Sequence, residues 1–286
     1  MHKVGVIGNG FVGSAIASGF GLHADVKVYD ADSRRSINTF DEVMECEFIF
    51  VAVPTPMHLG DNNKIDLSIV KDTFSKISNY SQEYQDKNKI IILKSTAIPG
   101  TTESLQKEFP TLDIAFNPEF LTERNARLDF INTSRIVIGG SSTVCDRVEQ
   151  LYRVRFPHTS IISTDPTSAE FIKYMCNCFF SVKISFMNEM KQASEALDLS
   201  WIDVMNGFLS DGRIGNSHVD VPGHDGHLGF GGKCFPKDLN AFINLFNDIH
   251  VEPTMLSAAW SKNMEVRKIK DWESIKGATS GKNNKD

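Results

Sequence analysis

The run Gly8-Asn9-Gly10-Phe11-Val12-Gly13 follows directly on a short β-branched segment, residues 4–7, and opens a small-residue helical segment, residues 14–19. Glycine is wanted at three of these places for different reasons. Gly8 permits a tight turn, Gly10 lets backbone approach a pyrophosphate, and Gly13 lets the helix lie close on the strand. The helix N-terminus adds a partial positive charge for phosphates. The next strand-like run, residues 26–29, ends on Asp30, where a carboxylate binds a ribose 2′-hydroxyl and repels a 2′-phosphate. These features predict a dinucleotide site and favour NAD over NADP.

Beyond the glycine turn, β-branched runs at 48–53, 90–93, 136–138 and 160–162 alternate with helical stretches, the signature of a doubly wound α/β sheet of the Rossmann type. After Pro166 the texture becomes helical. Thr167 followed by Glu170 reads as a capping box. Apolar residues at Phe171, Met175, Phe179, Val182, Phe186, Met190, Ala193 and Leu197 hold a helical spacing over residues 168–197. Such a helix is roughly 45 Å long, and we read it as a connector and the core of a homodimer. A glycine-rich loop at 223–232 precedes helices expected after Asp238 and over 254–270. The expected organisation is an NAD-binding domain at 1–165, an all-helical substrate and dimerisation domain at 166–270, and a polar, disordered tail at 271–286.

Composition narrows the classes of function. A net charge of −6 and a pI near 5.8, without a Lys/Arg run, give no footprint for nucleic acid or an anionic membrane surface. No apolar stretch approaches the roughly 20 residues of a spanning helix. The five cysteines are irregularly spaced and no signal peptide opens the chain, which points to a reducing cytoplasm and a small-molecule substrate. His218, His224 and His227 invite a metal site, but they lack a Cys/Asp framework of ligand spacing. A polar loop and no metal are expected there.

Several segments carry candidate chemistry. The strand ends Val53-Pro54-Thr55-Pro56 and Lys94-Ser95-Thr96-Ala97-Ile98-Pro99-Gly100 read equally as walls of a nicotinamide pocket or as ordinary proline-bearing turns. In Gly229-Phe230-Gly231-Gly232-Lys233-Cys234-Phe235-Pro236-Lys237-Asp238, a cysteine stands behind a glycine loop with cations and a helix start nearby, which favour a thiolate. On the residues alone Cys234 reads equally as a buried inert thiol. Lys173 and Asn177, at i and i+4, share a helix face from which an ammonium and an amide can aim at one oxygen. Asn117-Pro118-Glu119-Phe120-Leu121 follows a strand expected at 114–116.

These segments occur in the order and close to the spacing found in UDP-glucose/GDP-mannose dehydrogenases, and the chain resembles that family from Met1 to about Lys270. The resemblance implies a four-electron oxidation of a nucleotide sugar C6 alcohol to the acid with two NAD, UDP-glucose being the first expectation. Cys234 matches the nucleophile that carries a thiohemiacetal and then a thioester. Lys173 matches the residue that stabilises the oxyanion, with Asn177 assisting. Thr96 and Asp238 match positions that hold or activate water, and Glu119 matches the carboxylate for acid/base work in hydrolysis. The resemblance further implies NAD contacts at Phe11, Val12, Arg35, Thr55, Thr96, Glu123 and Lys237, beside the glycines and Asp30. Substrate contacts are implied at Glu119, Phe120, Leu121, Lys173, Asn177, Phe230 and Gly231, and Arg213 would reach the substrate of a neighbouring subunit.

The chain departs from the family in places. Members usually carry a further nucleotide-binding domain after the central helices, and this sequence stops where it would begin. Arg124 and Asn125 stand where small residues are common, and the loop at 222–228 is longer than expected. Two rivals remain: a two-electron β-hydroxyacid-type dehydrogenase, which needs no cysteine, and a non-enzymatic NAD-binding dimer or partner-dependent half-enzyme, which binds cofactor without turnover alone.

Overall fold

The structure is a computed structural model describing residues 1–59, 62–84 and 89–281. Its elements are β1 (Lys3–Ile7), α1 (Phe11–Phe20), β2 (Asp25–Tyr29), α2 (Phe40–Met44), β3 (Phe48–Val51), β4 (Met57–His58), β5 (Lys64–Ile65), α3 (Ser68–Glu83), β6 (Ile90–Leu93), α4 (Thr101–Glu108) and β7 (Asp113–Phe116). There follow α5 (Ala126–Ile131), β8 (Arg135–Gly139), α6 (Ser142–Arg155), β9 (Ser160–Thr164), α7 (Pro166–Ala196), α8 (Trp201–Leu209), α9 (Phe235–Asp248), α10 (Thr254–Val266) and β10 (Thr279–Ser280). They divide into two compact units, one of residues 1–55 and 66–173, the other of 56–65 and 174–286.

The first unit is built on a seven-stranded sheet in the order β2-β1-β3-β6-β7-β8-β9. Strands β3, Phe-Ile-Phe-Val, and β6, Ile-Ile-Ile-Leu, are buried at every residue, as expected of parallel strands covered by helices on both faces. Two apolar clusters occupy the two faces, one around Phe20, Phe50 and Tyr152, the other around Ile49, Phe74 and Phe116. The chain leaves β1 for β2 on one side and returns to β3 on the other, so the switch point lies between β1 and β3. Ligands of open α/β sheets bind at such a point, outside the carboxyl ends of the strands. The fold is therefore the expected doubly wound α/β, with one feature that periodicity does not convey: β8 runs antiparallel to β7, and β9 is parallel to β8.

The second unit is largely helical. Met57, Trp272 and Ala278 form one core with Trp260 and Met264 packed on it, and Met187, Val219 and Val221 form another with Trp201 and Phe208. A small sheet in the order β10-β4-β5 joins the Met57–His58 segment to Thr279–Ser280. The tail expected to be disordered from Asp271 onward is thus corrected: a 3-10 turn at Asp271–Glu273 and the strand β10 order it through Ser280. Its end, residues 282–286, lies outside the described residues.

The helix α7 runs over 31 residues, close to its expected bounds. Its start is not the expected capping box. Asp165 Oδ1 accepts from Ser168 N at 2.8 Å, while the Thr167 hydroxyl donates to Glu103. Pro166 at the first turn needs no amide partner, which lets the helix open there. Among the described residues no helix is long and apolar enough to cross a membrane and no group of three or more acidic, His or Cys side chains gathers to hold a metal. No disulfide joins the five cysteines.

Candidate active site

The turn after β1 shows why its glycines stand where they do. Gly8 has φ 97°, and a Cβ there would lie 2.5 Å from Ala52 O. A Cβ on Gly13 would lie 1.8 Å from Gly8 O, whereas one on Gly10 would meet nothing within 4 Å. Gly8 and Gly13 hold the turn and the helix together, and Gly10 leaves space over the backbone. Gly10 is also the N-cap of α1, with no side chain capping it, so the first-turn N–H groups remain available to an anion. Asp30 lies beside this turn: Oδ2 accepts from Asn9 N at 2.6 Å and Oδ1 from Asp32 N at 2.8 Å. Phe11 and Val12 are half-buried, Thr55 is buried, and Arg35 is exposed, its carbonyl taken by the Asn9 amide. This geometry fits the pyrophosphate and ribose of a dinucleotide.

At the carboxyl ends of β6 and β7 a polar network lies inside the sheet. Lys94 follows four buried apolar residues and donates from Nζ to Asn117 Oδ1 at 2.6 Å and to Pro118 O at 3.1 Å. Burial pushes its ammonium down to about 7, Glu119 opposing and Lys173 assisting. Asn117 is also held by the Tyr152 hydroxyl and donates to Val137 O at 2.6 Å. This asparagine ties β7 to three other elements and fixes the turn leading into Glu119. Burial raises the Tyr152 phenol well above its ordinary value.

Glu119 is 4% exposed and Lys173 2%. Lys173 Nζ donates to Glu119 Oε1 at 2.8 Å, and Glu119 Oε2 accepts from Leu121 N at 2.7 Å. Phe120 lies beneath two cations, with the Arg135 guanidinium 4.2 Å and the Lys173 ammonium 5.8 Å from its ring centre. A cavity of about 320 Å³ is lined here by Lys94, Asn117, Glu119, Phe120, Arg135 and Tyr152 among others. Glu123, exposed, begins a short 3-10 turn, and Thr96 is half-buried after Lys94.

A buried carboxylate that sequence reasoning missed secures the segment carrying Thr96. Gly100, at φ 95°, is the N-cap of α4 and has no side chain to cap with. Glu170, fully buried on α7, supplies the cap: Oε2 accepts from Gly100 N at 2.6 Å, and Oε1 accepts from Thr102 N at 2.8 Å and its hydroxyl at 2.6 Å. Burial raises its carboxyl to about 7 despite these bonds. The misread capping box and the missed anchor are the same residue.

In the second unit, Cys234 is half-buried at the N-cap of α9, with Pro236 in the first turn. One helical turn on, Asp238 is fully buried. Its Oδ2 accepts from Asn177 Nδ2 and its Oδ1 from Lys237 Nζ. The structure thus brings Lys173 to Glu119, and Asn177 and Lys237 to Asp238. The ammonium and amide of α7, expected to aim at one oxygen, each hold a carboxylate of their own. Phe230 is buried and Gly231 half-buried in the cysteine loop, and Arg213 is exposed and paired with Asp211. The loop at 222–228 is closed by bonds between Gly223 and His227 and held by Asp225.

A glycine turn at the switch point of a doubly wound sheet, with an acid at the next strand end, defines the first unit as a dinucleotide-binding domain. The description "UDP-glucose/GDP-mannose dehydrogenase family, NAD binding domain" matches residues 21–155, and the central domain of the same family matches 167–265. The chain belongs to the UDP-glucose/GDP-mannose dehydrogenase family, and its cofactor is NAD. It is 29% identical over 308 residues to UDP-glucose 6-dehydrogenase AglM of Haloferax volcanii, covering 91% of this chain and 69% of that one. It is 31% identical over 242 residues to a UDP-glucose 6-dehydrogenase of Rickettsia conorii, covering 82% and 53%. A solved UDP-glucose dehydrogenase from Pyrobaculum islandicum superposes with a TM-score of 0.81 at 27% identity, covering 93% of this chain and 68% of that one. The chain thus spans about half to two-thirds of the length of these relatives.

Proposed function

We propose that this chain oxidises the C6 alcohol of a nucleotide sugar, UDP-glucose first, to the uronic acid through a covalent intermediate on Cys234. The observation that carries the reading is the buried Lys173–Glu119 pair, a cation and a carboxylate kept out of water at the carboxyl edge of a dinucleotide-binding sheet. Burial of such a pair costs several kcal/mol per ion before attraction repays it, and a charge pair kept out of water beside a ligand-binding sheet edge is a functional-site candidate.

NAD, when bound, would supply the hydride acceptor for each of the two oxidations of the sugar. The turn Gly8–Gly13 with Phe11 and Val12, Asp30 and Arg35, and Thr55, Thr96, Glu123 and Lys237 would hold it. The thiolate of Cys234 adds to the aldehyde carbon, forming a C–S bond, while Lys173 and Asn177 stabilise the oxygen that gains charge. Loss of the second hydride leaves a thioester. Thr96 and Asp238 hold a water, Glu119 takes its proton as the oxygen adds to the thioester carbon, and the C–S bond breaks with Cys234 leaving as thiolate. Glu119, Phe120, Leu121, Phe230 and Gly231 frame the sugar.

On this reading residues 1–165 bind NAD and 166–270 carry the substrate loop and a homodimer interface. Met175, Phe179, Phe186 and Met190 lie on one stripe of α7 and are 36–62% exposed. An apolar stripe of this length supports burial against a second copy, from which Arg213 would serve the neighbouring substrate. The test is NADH formed per sugar consumed over a panel of nucleotide sugars. Two per sugar supports the reading, and one per sugar with an aldehyde or ketone product refutes it.

A further inference from the structure

The backbone of the cysteine loop is held by side chains distant in sequence. Gly229 N donates to Asn188 Oδ1 at 3.1 Å, Phe230 N and O are both taken by Asn263, at 2.7 and 3.0 Å, and Gly232 N donates to Asp271 Oδ2 at 2.9 Å. The glycines are what permit this approach. A Cβ on Gly229 would lie 2.2 Å from Asn263 Oδ1, and one on Gly231 would lie 2.2 Å from Asp271 Oδ1 and 2.3 Å from Arg267 Nη2. Arg267, 2% exposed, braces the anchor. Its Nη2 donates to Asp271 Oδ1 at 3.0 Å and to Asp225 Oδ2 at 2.8 Å, and its Nε donates to Ile269 O at 3.0 Å. Burial of Trp272 against Met57 and Trp260 fastens the segment that carries Asp271.

We propose that Asp271, braced by Arg267, is a positioning residue for Cys234. The inference rests on the reading of Cys234 as the nucleophile. Gly232, at φ 75°, is the last left-handed position before Cys234 takes the N-cap of α9. Pinning the Gly232 amide sets the direction in which the chain enters that helix. It thereby sets where the thiol stands against first-turn N–H groups, which favour a thiolate. Only a carboxylate meets the requirement. Asp271 accepts at both oxygens, from a guanidinium and from an amide, whereas asparagine has one acceptor and turns an NH₂ toward a donor either way.

The experiment measures alkylation of Cys234 by iodoacetamide in the full chain from pH 6 to 9, read by peptide mass, with the half-buried Cys176 of α7 as internal reference. In folded Asp271→Asn the Cys234 rate at pH 7 falls at least threefold and its profile moves to higher pH, with the Cys176 rate unchanged. A Cys234 rate in the folded variant that equals or exceeds that of the parent overturns the proposal, since a merely loosened loop gives that result. Should Asp271→Asn not fold, hydrogen exchange on the parent decides: the Gly232 amide exchanges at least tenfold slower than its intrinsic rate, and exchange at the intrinsic rate overturns the proposal. Neither readout needs sugar turnover. Slower alkylation in a chain that oxidises no nucleotide sugar therefore upholds the positioning role while the proposed activity fails.

Discussion

Replacing Lys173 with methionine keeps the volume of its stem and removes the charge facing Glu119. The carboxylate then stands 4% exposed, bonded to the Leu121 amide, with the more distant Lys94 ammonium as the cation that still acts on it. Removing one partner of a buried pair leaves an uncompensated charge and costs roughly 3–5 kcal/mol. Thermal unfolding followed by circular dichroism reads this directly, with a fall in Tm of order 10 °C. The Lys173→Met/Glu119→Gln double variant recovers most of the loss. A loss under about 1 kcal/mol, or a double variant no more stable than Lys173→Met, refutes the reasoning.

Three further outcomes follow from the geometry. The Glu170 carboxyl is raised from 4.5 to about 7, so its contribution to stability is fully present below pH 4.5 and is lost as pH rises through 7. The stability advantage of the parent over Glu170→Gln therefore narrows by up to about 3 kcal/mol between pH 4.5 and 8, and a constant gap in urea titrations contradicts it. Gly13→Ala places a Cβ 1.8 Å from Gly8 O, and NAD affinity by fluorescence titration falls more than tenfold, whereas Gly10→Ala, with open space around it, leaves the folded stability within about 1 kcal/mol. Asp30→Ser removes the carboxylate that repels a 2′-phosphate, so the ratio of NAD to NADP affinities falls at least tenfold. An unchanged ratio removes Asp30 from the cofactor site.

Much of this architecture could be read along the chain because its causes are local. Strands β3 and β6 are buried on both faces and so consist of four consecutive apolar residues, and α7 repeats apolar positions over its whole length. The glycine turn and Asp30 are legible because Gly13 answers to Gly8 within the same βα unit, Gly8 to Ala52 just past β3, and Gly10 leaves open space. What escaped depends on partners far away. The direction of β8 leaves no trace in a period of two, and β4 and β5 are two residues each, too short for any period. Glu170 sits three residues after Thr167, and nothing local distinguishes a cap for its own helix from one for α4, 70 residues earlier. Lys94 closes an apolar strand, a visible anomaly, yet Asn117 and Tyr152 come together only across the sheet. Gly229 and Gly231 read as a glycine-rich loop, while the side chains that demand them, Asn263, Arg267 and Asp271, lie 34 to 40 residues on.

The covalent role of Cys234 is tested most directly by intact-protein mass measured after acid quenching. With NAD and the nucleotide sugar that supports turnover, Glu119→Gln retains the thioester, and the mass of the acylating sugar nucleotide maps to the peptide containing Cys234. In Cys234→Ala no adduct forms and NADH production stops short of two per sugar. Two NADH per sugar from Cys234→Ala, with no adduct on any variant, contradicts the account.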